Sequence, residues 1–214
     1  MKKVNVAEMG LWLLMAVPFV YLALVWAQLP ESVPTHFNAQ GEADDYSAKS
    51  SLVWLLLFTQ VMPFFLLKYV PQLDPKRKPE EFGQNYQRLR LILVLFMSAI
   101  GCIIVMAAYQ KVDMALILPV LLSALFAGIG NYISTTKPNY FVGIRTPWTL
   151  ESEEVWRKTH RLGGRMMFWV GFACLLLSFL LPASIRMPLI LVLLVGSTLV
   201  PTVYSYFAYR QSKA

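Results

Sequence analysis

Residues 91–109 read LILVLFMSAIGCIIVMAAY, a run with neither a charge nor a proline. A helix on the surface of a soluble domain would show a polar face within such a run, whereas this one is apolar all round. About 20 mostly apolar residues in a helix cross the roughly 30 Å hydrocarbon core of a bilayer. The segment therefore reads as a membrane span. Moving outward along the chain, 11–28, 52–69, 114–132, 166–181 and 188–208 have the same character. The 214 residues are 57% hydrophobic and 14% charged, against about 25% charged in a typical soluble domain. The sequence predicts an all-α integral membrane protein with six transmembrane helices.

The net charge of +7 is explained by where the cations fall. With six spans, the side shared with the N-terminus holds Lys2, Lys3, Lys68, Lys76, Arg77, Lys78, Arg88, Arg90, Lys137, Arg145, Arg157, Lys158, Arg161, Arg165, Arg210 and Lys213. Only Lys49, Lys111 and Arg186 fall opposite. The positive-inside rule predicts both termini in the cytoplasm, with the chain multi-pass in its membrane. The basic excess is thus topological, touching anionic lipid headgroups, and no direct nucleic-acid partner is expected.

The spans carry Pro18, Pro63, Pro119 and Pro201, read as kinks whose freed carbonyls neighbours must satisfy. Cys102 and Cys174 lie within spans and are expected to pack. Gln60, Ser98 and Asn131 can hydrogen-bond across the bundle, but the nearest ionisable groups, Glu8 and Lys68, fall at span ends, where snorkelling accounts for them. An ion-driven carrier would place a charge deeper. The first span after Met-Lys-Lys imitates a signal peptide, yet its length and the charge pattern of the next spans favour retention.

Specific chemistry is left to two loops. The external loop 29–51 is acidic, with Glu31, Glu42, Asp44 and Asp45 against Lys49; Pro30 and Pro34 favour extended backbone and Gln40-Gly41 a turn, so a small external cap is expected. His36 beside these carboxylates lacks a metal-ligand spacing, and no metal is predicted. In the cytoplasmic loop 133–165, Thr149 as N-cap, Glu151, Glu153 and Glu154 in the first turn, basic Arg157, Lys158, His160 and Arg161, then Gly163-Gly164, describe one amphipathic cytoplasmic helix ended by glycine. Trp148 and Trp156 suit headgroup depth. Ahead of it, Gly143 and Pro147 make a shaped loop in which Arg145 either bridges carbonyls or meets a lipid or partner. No Gly-rich phosphate loop, catalytic triad or HExxH is present, so no cofactor and no catalytic residue is expected.

The run Gly143-Ile144-Arg145-Thr146-Pro147-Trp148-Thr149-Leu150, with Glu154-Val155-Trp156 and His160-Arg161, resembles the signature of the SdpI family of bacterial toxin-immunity membrane proteins. Leu29-Pro30, Val33-Pro34, His36-Phe37-Asn38, Gly41 and Asp44 are similar to the DUF1648 domain that precedes it in that family. The resemblance implies a DUF1648-like helical pair over 1–70, a basic loop 71–90 and an SdpI-like four-helix part over 91–214. It implies protection from a secreted peptide toxin, met outside by His36, Phe37, Asn38, Glu42, Asp44 and Asp45. It further implies a relay to a cytosolic transcriptional repressor, or lipid contact, through Gly143, Arg145, Thr146, Pro147, Trp148, Thr149, Trp156, His160 and Arg161. At position 160 the founding branch is expected to carry Asn. The alternatives are a transporter or exporter of a peptide or lipid, and a membrane enzyme built on His36 or His160.

Overall fold

Among the described residues six helices are long and apolar enough to span a bilayer: Val6–Gln28, Ser51–Leu73, Gly83–Ala107, Met114–Ile133, Glu153–Leu180 and Ala183–Ser212. They belong to a computed structural model that describes residues 6–38, 40–75 and 82–213, so the Lys76-Arg77-Lys78 cluster and Pro79, like Lys2 and Lys3, lie outside the described residues. The elements run α1 (Val6–Val25), β1 (Ser32–Phe37), β2 (Ala43–Ala48), α2 (Ser51–Leu56), α3 (Met62–Leu73), α4 (Gly83–Ala107), α5 (Met114–Ile133), α6 (Pro147–Glu151), α7 (Glu153–Leu180) and α8 (Ala183–Ser212). Large apolar side chains stand open on the spans, Leu24 at 74%, Trp169 at 64% and Leu180 at 77%. In water such patches would aggregate; in hydrocarbon they are solvated.

Two compact units divide the chain, one comprising Met1–Lys68 with Leu93–Met114 and the other Tyr69–Ile92 with Ala115–Ala214. The first holds α1, the hairpin and the α2–α3 span. α1 and α4 meet there at Pro18. A proline has no N–H to offer the carbonyl four residues back, so Leu14 loses its helical partner. The Ser98 hydroxyl donates to the Leu14 carbonyl at 2.8 Å and replaces it. Before Pro63 the backbone widens into a π turn over Leu57–Val61, with the Met62 amide bonded to the Leu57 carbonyl. Within that turn buried Gln60 donates to the Met97 carbonyl at 2.8 Å. Glu8 and Lys68, expected to snorkel, instead pair at 3.1 Å, with the lysine 4.8 Å above the Trp12 ring.

The same substitution of partners recurs in the second unit. Pro119 deprives the Ala115 carbonyl, and Arg186 Nη1 donates to it at 3.1 Å while Nε and Nη2 cap the Leu181 carbonyl at the end of α7. Arg186 is thereby committed to local backbone carbonyls.

The departure from an all-helical chain is an antiparallel hairpin, Ser32 facing Ala48 and Phe37 facing Ala43, with register irregularities at His36. Its turn uses Gly41 at φ 79°. Val33, wholly buried, packs into a cluster with Leu22, Val25, Leu29, Leu52, Leu56, Val105 and Ala108. One residue thus anchors the β element to the helices of its unit.

α7 corrects the amphipathic helix expected to stop at Gly163-Gly164. The helix continues through both glycines to Leu180 and becomes the fifth span. A Cβ on Gly164 would lie 2.8 Å from the Gly130 carbonyl of α5, and one on Gly130 would lie 2.7 Å from the Gly164 carbonyl. These glycines allow two helix backbones to touch, as small residues do in membranes. Thr149 is likewise not an N-cap; Thr146 caps α6 and Ser152 caps α7.

Removing the Ser98 hydroxyl should expose the cost of an unpaired carbonyl in the core. Ser98→Ala is expected to lower unfolding stability in detergent by about 1–3 kcal/mol. Ser197→Ala deletes a hydroxyl that only doubles a local bond to Leu194, and its cost should stay below about 0.5 kcal/mol. Equal midpoints for the two variants would refute the assignment.

Candidate functional site

The non-helical chain between α5 and α7 is ordered by its own side chains. Asn139, 3% exposed, uses its whole amide. Oδ1 accepts from the amides of Phe141 at 2.9 Å and Val142 at 2.6 Å, and Nδ2 donates to the carbonyls of Lys137 at 2.9 Å and Val142 at 3.0 Å. The adjacent Tyr140 amide donates to buried Asp74 at 2.7 Å, linking the 69–75 segment to this loop. Arg145, exposed, donates through Nη1 to the Tyr140 carbonyl at 2.5 Å, a contact inside its own loop.

At the next step the loop is clamped onto α7. The Ile144 amide donates to His160 Nε2 at 2.9 Å, and His160 Nδ1 lies 2.8 Å from the Trp156 carbonyl. A carbonyl can only accept and an amide can only donate, so these partners hold the imidazole neutral with its proton on Nδ1. The ring stacks on Trp156 at 3.9 Å and 19°. Trp156 is 1% exposed and donates from Nε1 to the Thr136 carbonyl at 2.7 Å. It is a core residue, which corrects its expected place among headgroups. Gly143, at φ 121°, passes against this stack, where a Cβ would overlap His160 Nε2 and come within 3.1 Å of the Trp156 ring.

The loop's other end is tied to α8. Thr146 and Thr149 form a reciprocal capping box: the Thr146 amide donates to Thr149 Oγ1 at 2.8 Å and the Thr149 amide to Thr146 Oγ1 at 3.3 Å. Thr149 Oγ1 also lies 2.9 Å from the Ile144 carbonyl and is fully buried. Pro147 opens α6 at the position where its missing N–H costs nothing. Trp148, half-buried, donates to Ser205 Oγ at 2.5 Å and meets Tyr206 edge-on at 5.4 Å. Glu151 accepts from Tyr209 at 2.5 Å, with Lys213 at 3.4 Å. The Tyr209 hydroxyl, then Lys213, hold its carboxyl below the usual range.

The structure therefore gathers Gly143, Thr146, Pro147, Trp148, Thr149, Trp156 and His160 into one clamp, while Arg145 lies at its margin and Arg161 faces outward. Asp74, Asn139, Ser205 and Tyr209 complete it and were not read from the sequence. Of these Asn139 alone had a local signal, an Asn after proline in a short polar loop.

In the first unit the hairpin residues separate into two groups. His36 Nδ1 lies 2.5 Å from Asp44, Thr35 donates to Asp45 at 3.4 Å, and Asn38 Oδ1 accepts the amides of Gln40 and Glu42 at 3.0 and 2.9 Å. These contacts hold the hairpin itself. Phe37 and Glu42 instead line an open cleft of about 810 Å³, shared with Leu29, Pro34, Tyr46 and Tyr109.

Residues 13–61, containing the hairpin, match the domain of unknown function DUF1648, and residues 135–205, containing the clamp, match a second profile. That second match is to the SdpI/YfhL protein family. The chain is also 23% identical over 201 residues to the immunity protein SdpI of Bacillus subtilis, an alignment covering 93% of this chain and 94% of that one. An uncharacterized protein of Archaeoglobus fulgidus is 38% identical over 52 residues, 24% of this chain and 28% of its own. No solved structure matches. The SdpI-family segment and the six spans together describe a multi-pass bacterial membrane protein.

Gly143→Ala should destabilise the SdpI-family clamp by more than about 2 kcal/mol, combining overpacking with a strained φ. Adding His160→Ala relieves the overlap but not the backbone strain, so the double variant should lose less than the sum of the two single losses. Additive shifts in thermal midpoint, measured in detergent, would contradict the packing described.

Proposed function

We propose that the protein is a non-enzymatic immunity protein of the bacterial cell membrane, protecting its own cell from a secreted peptide toxin. The observation that carries this reading is the end-to-end similarity to a protein named for immunity, 93% of this chain against 94% of the relative. In the proposed orientation the hairpin faces outside and the SdpI-family clamp faces the cytoplasm. The charge distribution supports it, and two of the three exceptions to that distribution are locally committed: Arg186 to carbonyls, and Lys49 to Glu31 at 2.7 Å.

The hairpin then supplies the toxin-facing surface. The clamp is proposed as the cytoplasmic platform that passes toxin occupancy to a regulator, because it joins three helices of its unit through bonds with discrete partners. An exporter is a weaker reading. Three polar groups inside the spans, Ser98, Gln60 and Ser178, are each spent on a backbone carbonyl and so are not free to solvate a passing substrate.

Expression of the chain in a toxin-sensitive bacterium should raise the peptide concentration required to kill. Unchanged killing, with the protein confirmed in the membrane fraction, would refute the immunity reading. Protection that persists in Trp148→Ala while a regulator remains uncaptured would separate defence from relay.

A further inference from the structure

The cleft beside the hairpin differs chemically from the face that carries His36 and Asp44. Its walls include three aromatic rings, Phe37, Tyr46 and Tyr109. Tyr46 is 57% exposed, whereas Tyr109 is fixed by a 2.6 Å hydrogen bond between its hydroxyl and that of Tyr21. Buried Val33 holds the hairpin against the helices that complete the cleft. The space, about 810 Å³, lies within the usual range for ligand sites. It is a standing feature of the unit.

Charge on and around the hairpin indicates what enters. Glu31 is neutralised by Lys49 and Asp44 faces His36. Glu42 is different. Its carboxylate meets only the Asn38 amide, at 3.4 Å, and no cation lies within ion-pairing reach among the described residues. Lys111 stands elsewhere on the rim and disfavours a second cation there. Aromatic rings beside one unneutralised carboxylate form the usual surroundings of a bound ammonium or guanidinium group.

We propose that this cleft docks a lysine or arginine side chain of an extracellular peptide, with Glu42 contacting the charge and Phe37, Tyr46 and Tyr109 its apolar stem. The proposal rests on the immunity reading for its biological ligand, but not for its chemistry. It narrows the expected toxin contact, His36, Phe37, Asn38, Glu42, Asp44 and Asp45, to the cleft face of the hairpin that carries Phe37 and Glu42.

The test uses the full chain in nanodiscs of zwitterionic lipid, probed by anisotropy with a dye-labelled oligolysine peptide and with its lysine-acetylated twin. The wild-type chain should bind the first and not the second, in a salt-sensitive manner. Glu42→Gln and Tyr46→Ala should each weaken binding about tenfold, whereas Glu31→Gln, which removes an equal charge outside the cleft, should stay within about twofold. Tyr46 and Glu42 are exposed, so both variants should fold. Equal binding of the two peptides, an unaffected Glu42→Gln, or equal losses in Glu31→Gln and Glu42→Gln would overturn the proposal. Toxin challenge of cells carrying the same variants separates the two readings. Protection that survives unchanged in Glu42→Gln and Tyr46→Ala removes the cleft and leaves immunity standing; discriminating binding without wild-type protection does the reverse.

Discussion

Every backbone carbonyl in hydrocarbon needs a donor, and the chain's prolines make that requirement visible. Pro18 and Pro119 each remove the donor for a carbonyl one turn back, and in each case a side chain from another helix supplies it. Ser98 serves the Leu14 carbonyl and Arg186 serves the Ala115 carbonyl. Outside the membrane a water would do this at little cost. Within it an unsatisfied group costs several kcal/mol, so each kink specifies its neighbour. Pro18 and Pro119 are consequently pairing instructions for helices, one in each unit.

The same bookkeeping governs the chain between α5 and α7, which has no helix of its own until Pro147. Its peptide groups are answered by Asn139, Asp74, Thr149, Trp156 and His160. Because one side chain often answers two or more groups, the loop is cooperative: losing Asn139 would release Phe141 and Val142 together.

The spans were legible because an apolar run without period has few alternatives, and six such runs were found. Their ends were not. Charged residues such as Arg88 and Arg90 lie within α4, and Glu153 to Arg165 within α7, because a helix need not end where the hydrocarbon does. Gly163-Gly164 was misread for a related reason: a glycine that ends a helix and one that lets helices touch give the same local signal, and only the Gly130 carbonyl distinguishes them. Trp156 shares a face with charged neighbours in sequence, yet its indole is answered by the Thr136 carbonyl, a partner twenty residues back. The loop motif itself was legible, and Asp74 was not, since its partner Tyr140 lies 66 positions away.

Position 160 shows what the clamp constrains. The site requires an acceptor for the Ile144 amide and a donor for the Trp156 carbonyl on one short, flat side chain. Neutral histidine offers both on opposite ring edges. Asparagine offers both on one amide and stacks less well against an indole. The His at 160 therefore meets both hydrogen-bond demands while adding the 3.9 Å stack on Trp156. The larger ring also reaches the Gly143 backbone, where no side chain can be accommodated. Gly143 and His160 are thus one structural choice written at two places in the sequence, and a change at either is felt first by the other.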